Sequence, residues 1–173
     1  NFIGLSLSLA YLIWALGVSV FVNGKMEEKL NEQGVPYSQF ISSPAPFTTL
    51  LWRTVGIHND QYFETYYSLF DGDAPLSVNF YPRNLSLMKG IGEHSPVVKL
   101  KSFTKGYFAM ADINGSVTMR DLRMGSEPDY VFQFKVAEYN NTLARPILAQ
   151  RFQTTRDWGR LPWLWKRIWD SEA

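Results

Sequence analysis

The residues best suited to chemistry stand in one block, Arg120-Asp121-Leu122-Arg123-Met124-Gly125-Ser126-Glu127-Pro128. Arg120, Asp121 and Arg123 fall within or at the end of an expected strand, where three charges in four residues are unusual. Alternate residues of a strand share a face, so Asp121 and Arg123 lie on the same side. Glu127 can return toward either arginine across the loop. Arg53 and Arg83 add two guanidinium groups in apolar or turn surroundings. Guanidinium forks match carboxylate and phosphate geometry. Arg53, Arg83, Asp121, Arg123 and Glu127 therefore read as an anion-binding site or as a structural arginine–carboxylate cluster that holds the loop. A third reading pairs Asp121 with Glu127 as acid and base. Because a buried guanidinium is tolerated only with its donors satisfied, Arg123 is expected to be partly buried against Asp121 or Glu127.

Metal chemistry finds little support. His58 and His94 are the only histidines, 36 residues apart, and neither belongs to a ligand-spaced motif. Cysteine is absent, which excludes disulfides and thiolate sites. There is no G-x-S-x-G, no P-loop and no dinucleotide-binding glycine pattern; Gly90-Ile91-Gly92 lacks the strand and helix such a pattern needs. No catalytic residue, metal ligand or cofactor is assigned within the chain. A net charge of +1 gives no reason to expect nucleic acid as a partner. Asn84-Leu85-Ser86, Asn114-Gly115-Ser116 and Asn140-Asn141-Thr142 fit the glycosylation pattern, but matches this short arise by chance.

The elements that must position these residues begin with an uncharged run. All 17 Lys and Arg and all 16 Asp and Glu lie after Gly24. About 20 apolar residues cross a bilayer as one helix, and a helix satisfies its own backbone in lipid. The bland alternative is a long helix buried across a sheet. The run lacks the basic n-region and cleavage site of a signal peptide, and a start at Asn1 rather than Met suggests a piece of a longer protein. Lys25 to Glu32 are good helix formers before Gly34 and Pro36, so residues 1–33 are expected to be one helix, a membrane span continued as a stalk. Small residues Gly4, Ser6, Ser8, Gly17 and Ser19 suit packing on another membrane helix, including that of a second copy. Deleting Asn1 to Val22 is expected to leave a soluble domain.

Residues 44–173 are expected to form one α+β domain. Ser42 to Pro46 reads as an extended linker. Thr48 to Ile57 and Tyr62 to Phe70 flank a polar turn as a hairpin, and Leu76 to Tyr81 suits another strand. A helical turn at Leu85 to Gly90 precedes a helix opened by Ser95-Pro96 and closed by Gly106. Asn114-Gly115 marks a second hairpin between Tyr107 to Ile113 and Ser116 to Met124. In Asp129 to Glu138, Tyr130, Phe132, Phe134 and Val136 alternate as a buried face. Four of the six Trp lie between Trp158 and Trp169. There Trp158, Leu161, Leu164, Trp165, Ile168 and Trp169 share one side of a helical wheel, against Arg160, Lys166, Arg167 and Asp170. This basic, Trp-rich helix suits either a membrane interface or docking on the sheet. The fold class is α+β: a long N-terminal helix, an antiparallel sheet of five or six strands, short helices and C-terminal helices.

Several blocks also carry a resemblance. Pro46-Phe47-Thr48-Thr49-Leu50-Leu51-Trp52-Arg53, Tyr66-Tyr67-Ser68-Leu69-Phe70-Asp71, Tyr81-Pro82-Arg83-Asn84, Thr104-Lys105-Gly106-Tyr107-Phe108, Asp121-Leu122-Arg123-Met124-Gly125 and Tyr130-Val131-Phe132 resemble, in order, the C-terminal part of bacterial inner-membrane metal-dependent hydrolases of the YdjM-like family. The blocks cover most of residues 44–138. In that family the metal-binding His and Asp motifs belong to an N-terminal membrane portion, which has no counterpart here. The resemblance implies an accessory C-terminal domain of a membrane-bound hydrolase. It also implies a divalent metal held elsewhere in the full-length protein, an inner-membrane location, and the bilayer and the protein's own membrane portion as partners. The alternatives are a non-catalytic module that binds a lipid or other amphiphile near the membrane, and a self-contained enzyme using the arginine–carboxylate cluster.

Overall fold

The computed structural model describes residues 2–140, 143–152 and 158–173. Helix α1 runs from Phe2 to Glu32 without a break. Its end follows from Gly34, whose φ of 64° is the left-handed turn that glycine adopts without a Cβ penalty. The Val35 amide then donates to the Leu30 carbonyl at 2.9 Å and closes the last turn. The two halves of α1 differ. Phe2 to Trp14 are exposed throughout, whereas Val18, Val22, Met26, Lys29 and Leu30 form a buried stripe at spacings of three and four. Only 11% of the apolar window is buried, so the bland reading of a core helix does not hold for this run. By length and composition α1 can cross a membrane.

The fold is α+β, as expected, but with more strands than five or six. One four-stranded sheet has the order β1 (Gln39–Pro44), β2 (Leu51–His58), β3 (Gln61–Ser68), β4 (Asn79–Pro82). A second comprises β5 (Phe108–Ile113), β6 (Ser116–Asp121), β9 (Gln133–Asn140) and β10 (Leu143–Phe152), in the order β10-β9-β6-β5. Between β6 and β9, β7 (Gly125–Ser126) and β8 (Asp129–Tyr130) form a short ribbon. Helices α2 (Ser95–Phe103) and α3 (Leu161–Trp169) complete the chain. It divides into two compact units. The first holds residues 1–56, 64–79 and 159–173; the second holds residues 57–63 and 80–158. The β2–β3 hairpin gives its base to the first and its tip to the second.

In the first unit the α1 stripe supplies Val22, Met26 and Leu30, each wholly shielded from solvent. Lys29 is buried with them because its Nζ donates to the Ala74 carbonyl at 2.8 Å. Gln33 and Leu76 exchange two hydrogen bonds, of 3.2 and 2.8 Å. Of the segment expected to be a linker, Ser42 to Pro44 instead belongs to the edge strand β1, and Ala45-Pro46 leads into the turn after it. The segment's prolines favour the extended conformation that a strand also needs, and only the pairing partner was invisible.

In the second unit Ile91, Val97, Phe108, Met110, Val117, Met119, Val136 and Ala137 form the core, packed by Leu85, Leu87, Met88 and Leu100. Asn114 (φ 52°) and Gly115 (φ 75°) make the tight turn that sets Phe108 opposite Asp121 and Ile113 opposite Ser116. The expected aromatic face of Asp129 to Glu138 does not hold as one alternation. The chain is interrupted after Tyr130, and between Val117 and Thr118 the β9 register slips past Val136, so Val136 and Ala137 are both buried. Strand β10 was not foreseen. It is an edge strand, which accommodates Pro146, and it bulges between Pro146 and Gln150.

Met26→Ala is expected to lower the unfolding free energy by about 2–5 kcal/mol, while Leu9→Ala on the bare half changes it little. Equal denaturant midpoints for the two variants would contradict the stripe.

Candidate functional site

The five residues singled out in the sequence enter separate arrangements. Asp121, 2% exposed, and Arg123 form a fork across one residue: Arg123 Nε reaches Oδ1 at 2.9 Å and Nη2 reaches Oδ2 at 2.6 Å. The Arg123 amide also donates to Oδ1 at 3.0 Å. Hydrogen bonding to Asp121 raises the Arg123 pKa further, against a smaller opposing effect of burial. The guanidinium lies over the Phe103 ring at 4.9 Å. Backbone bonds from Asp121 N to Phe132 O and from Leu122 N to Tyr107 O hold the block in place. The expected partnership of Arg123 with a carboxylate is present, and the carboxylate is Asp121.

Glu127 turns elsewhere. Its Oε2 accepts the Tyr62 hydroxyl at 2.8 Å, and its Oε1 lies 3.4 Å from Arg120 Nη1. Its loop is set by Gly125 at φ 106°, where an added Cβ would meet the Asp129 carbonyl at 2.5 Å. Tyr62 itself is buried, stacked on Tyr81 at 5.3 Å and edge-on to Tyr130.

Arg83 is buried and hydrogen-bonded to main-chain carbonyls. Nε donates to Phe108 O at 3.0 Å, Nη1 to Asn59 O at 3.1 Å and Nη2 to Gly106 O at 2.9 Å. Burial lowers its pKa from the ordinary arginine value, and Asp60 opposes that shift. One side chain thus ties the β2–β3 turn to the start of β5. Arg53 belongs to the first unit, where it pairs with Glu64 and both side chains are buried. Among these residues the guanidinium groups answer internal carboxylates and carbonyls, and Asp121 and Glu127 bond different partners rather than each other.

A pair that sequence reasoning missed docks α3 in the first unit. Arg167 Nη1 and Nη2 grip Asp71 Oδ1 and Oδ2 at 2.8 and 2.7 Å, and Nη2 also reaches Tyr66 O at 2.9 Å. Ser68 Oγ donates to the Ile168 carbonyl at 2.6 Å. The helical-wheel assignment is corrected accordingly. Arg167, placed on the polar face, is buried with Ile168, while Trp165 and Trp169, placed on the apolar face, are exposed. Only the separation of Asp71 from Arg167 hid this, since both residue types signal a fork when adjacent.

Among the described residues no group of three or more His, Asp or Glu is arranged to hold a metal. His58 sits at the β2–β3 turn against the Asn59 side chain, and His94 precedes α2. Of the sequons, Asn84 donates its amide to Met110 O at 3.2 Å, Asn114 is exposed in its turn, and Asn141 and Thr142 of the third lie outside the described residues. No family model, curated protein or solved structure matches the chain.

Arg123→Ala leaves the buried Asp121 carboxylate without its fork and is expected to cost about 3–5 kcal/mol. Arg123→Lys should recover little, because an ammonium cannot reproduce the planar fork. Thermal melts with exposed Lys99→Ala as control read this directly, and an unchanged Tm for Arg123→Ala would sink it.

Proposed function

We propose that this chain is a membrane-anchored accessory domain that does no chemistry of its own. The observation that carries the reading is α1: an uncharged apolar stretch, exposed from Phe2 to Trp14, continuous with a half that is built into the first unit. Exposed apolar side chains in such density cost free energy in water and none in hydrocarbon. The bonds of Arg83 to carbonyls and of Arg123 to Asp121 support a structural role for these residues. The resemblance to YdjM-like inner-membrane metal-dependent hydrolases extends the proposal. In that reading the domain presents substrate to a metal site elsewhere in the protein, at the inner membrane, and α1 packs on the protein's own membrane helices or on a second copy.

The intact chain should float with phosphatidylcholine–phosphatidylglycerol vesicles on a density gradient and resist extraction by salt and carbonate. Removal of the bare half should abolish flotation. The deletion has to stop before Val18, because Val18 and Val22 are buried, so loss through Val22 takes core side chains with it. An intact chain that stays monomeric and soluble without detergent would contradict the proposal. Dialysed protein should also carry no stoichiometric zinc; bound zinc lost on replacing His58 or His94 would restore a catalytic reading.

A further inference from the structure

The exposed half of α1 is too short for a bilayer. Phe2 to Leu16 spans about 22 Å at 1.5 Å per residue, against a hydrocarbon core of about 30 Å. The apolar run from Phe2 to Val22 reaches about 31 Å and matches it. Its last third, however, is already packed within the first unit, where Val18 and Val22 are buried. Trp14 Nε1 lies 3.4 Å from Thr49 Oγ1, which places the β1–β2 loop beside the helix about 12 Å short of Val22. The loop thus stands level with Trp14, where the exposed half of α1 ends, so the near headgroup layer lies at this level and the shortfall in length is met by local thinning of the bilayer.

The side chains there suit that position. Phe47, at the tip of the β1–β2 loop, is 87% exposed and held at φ 62°, a conformation that a bulky residue rarely adopts. The Thr48 amide donates to the Ala45 carbonyl at 3.3 Å, so the turn sets this backbone, but the Phe47 ring itself is left outside the core. Helix α3 is joined to the same loop: Ile168 packs with Ala45 and Leu51, and Leu164 with Leu50 borders them. From its outer side Trp165 and Trp169 project 65% and 59% exposed, and Trp169 stacks on exposed Phe70 at 4.8 Å. Tryptophan favours the headgroup boundary, where one edge of the indole is wet and the rest is apolar. Lys166, also exposed, and Arg160, over the Trp163 ring at 5.7 Å, can extend their charged ends to headgroups.

We propose that Phe47, Phe70, Trp165 and Trp169 form a second membrane-contact surface that seats the first unit in the headgroup layer around α1. The occupant is the lipid bilayer interface. This proposal rests on the membrane reading of α1 and adds that the domain is not held clear of the bilayer on a stalk. Continuity with α1 through the Trp14–Thr49 contact selects lipid over an apolar protein partner.

The absence of cysteine makes the test direct. Phe47→Cys, Trp165→Cys and, at the far end of α1, Glu32→Cys replace exposed residues in the full chain, each carrying a nitrobenzoxadiazole label. The labelled proteins are reconstituted in phosphatidylcholine–phosphatidylglycerol vesicles containing nitroxide-labelled lipids. The labels at 47 and 165 should shift to the blue and lose fluorescence to shallow nitroxides, while the label at 32 emits as in water and is unquenched. Flotation with a water-like signal at 47 or 165 overturns the second surface and leaves the membrane reading of α1 standing. Failure of all three proteins to float overturns both.

Discussion

One helix meets two surroundings, and the first unit depends on how it divides between them. Val22, Met26 and Leu30 are shielded completely, each burial being worth about 1.5–3 kcal/mol relative to exposure. The same stripe brings Lys29 and Gln33 to the segment around Ala74 and Leu76, where main-chain groups would otherwise be buried without partners. Such a helix cannot be detached at the edge of its apolar run, because the run and the core share Val18 and Val22. The boundary between the exposed run and the buried half therefore lies inside the apolar stretch rather than at the first charge.

The arginines form the polar counterpart of that core. Arg53, Arg83, Arg123 and Arg167 each remove a guanidinium wholly or partly from water and pair it with a nearby carboxylate or with carbonyls. Buried pairs of this kind add little net stability, yet breaking one strands its partner. Their value is geometric: Arg167 fixes the pose of α3 through Asp71, and Arg83 joins the carbonyls of Asn59 and Gly106 to that of Phe108 at the start of β5. A guanidinium suits this work because its planar fork presents several donors in fixed directions.

Local signals were legible in the sequence wherever neighbours in the chain are neighbours in space. The uninterrupted α1 and its stop at Gly34, the hairpin at Asn114-Gly115, the helix opened near Ser95-Pro96 and the pairing of Arg123 with Asp121 all arise within a few residues, from turn geometry, propensity and strand periodicity. These determined the α+β class and the long apolar helix. What tertiary structure alone decided is where distant segments meet. Strand β10 has no clean alternation because one side lies open at a sheet edge. The aromatic face of residues 129–138 fails because a bulge at Val136 exchanges the two sides of the strand. A helical wheel ranks Arg167 as a surface residue, since hydropathy counts its charge and cannot see Asp71 waiting 96 positions away. That single long-range fork turns α3 so that arginine is buried and tryptophan faces outward, an outcome set by the partner rather than by the residue.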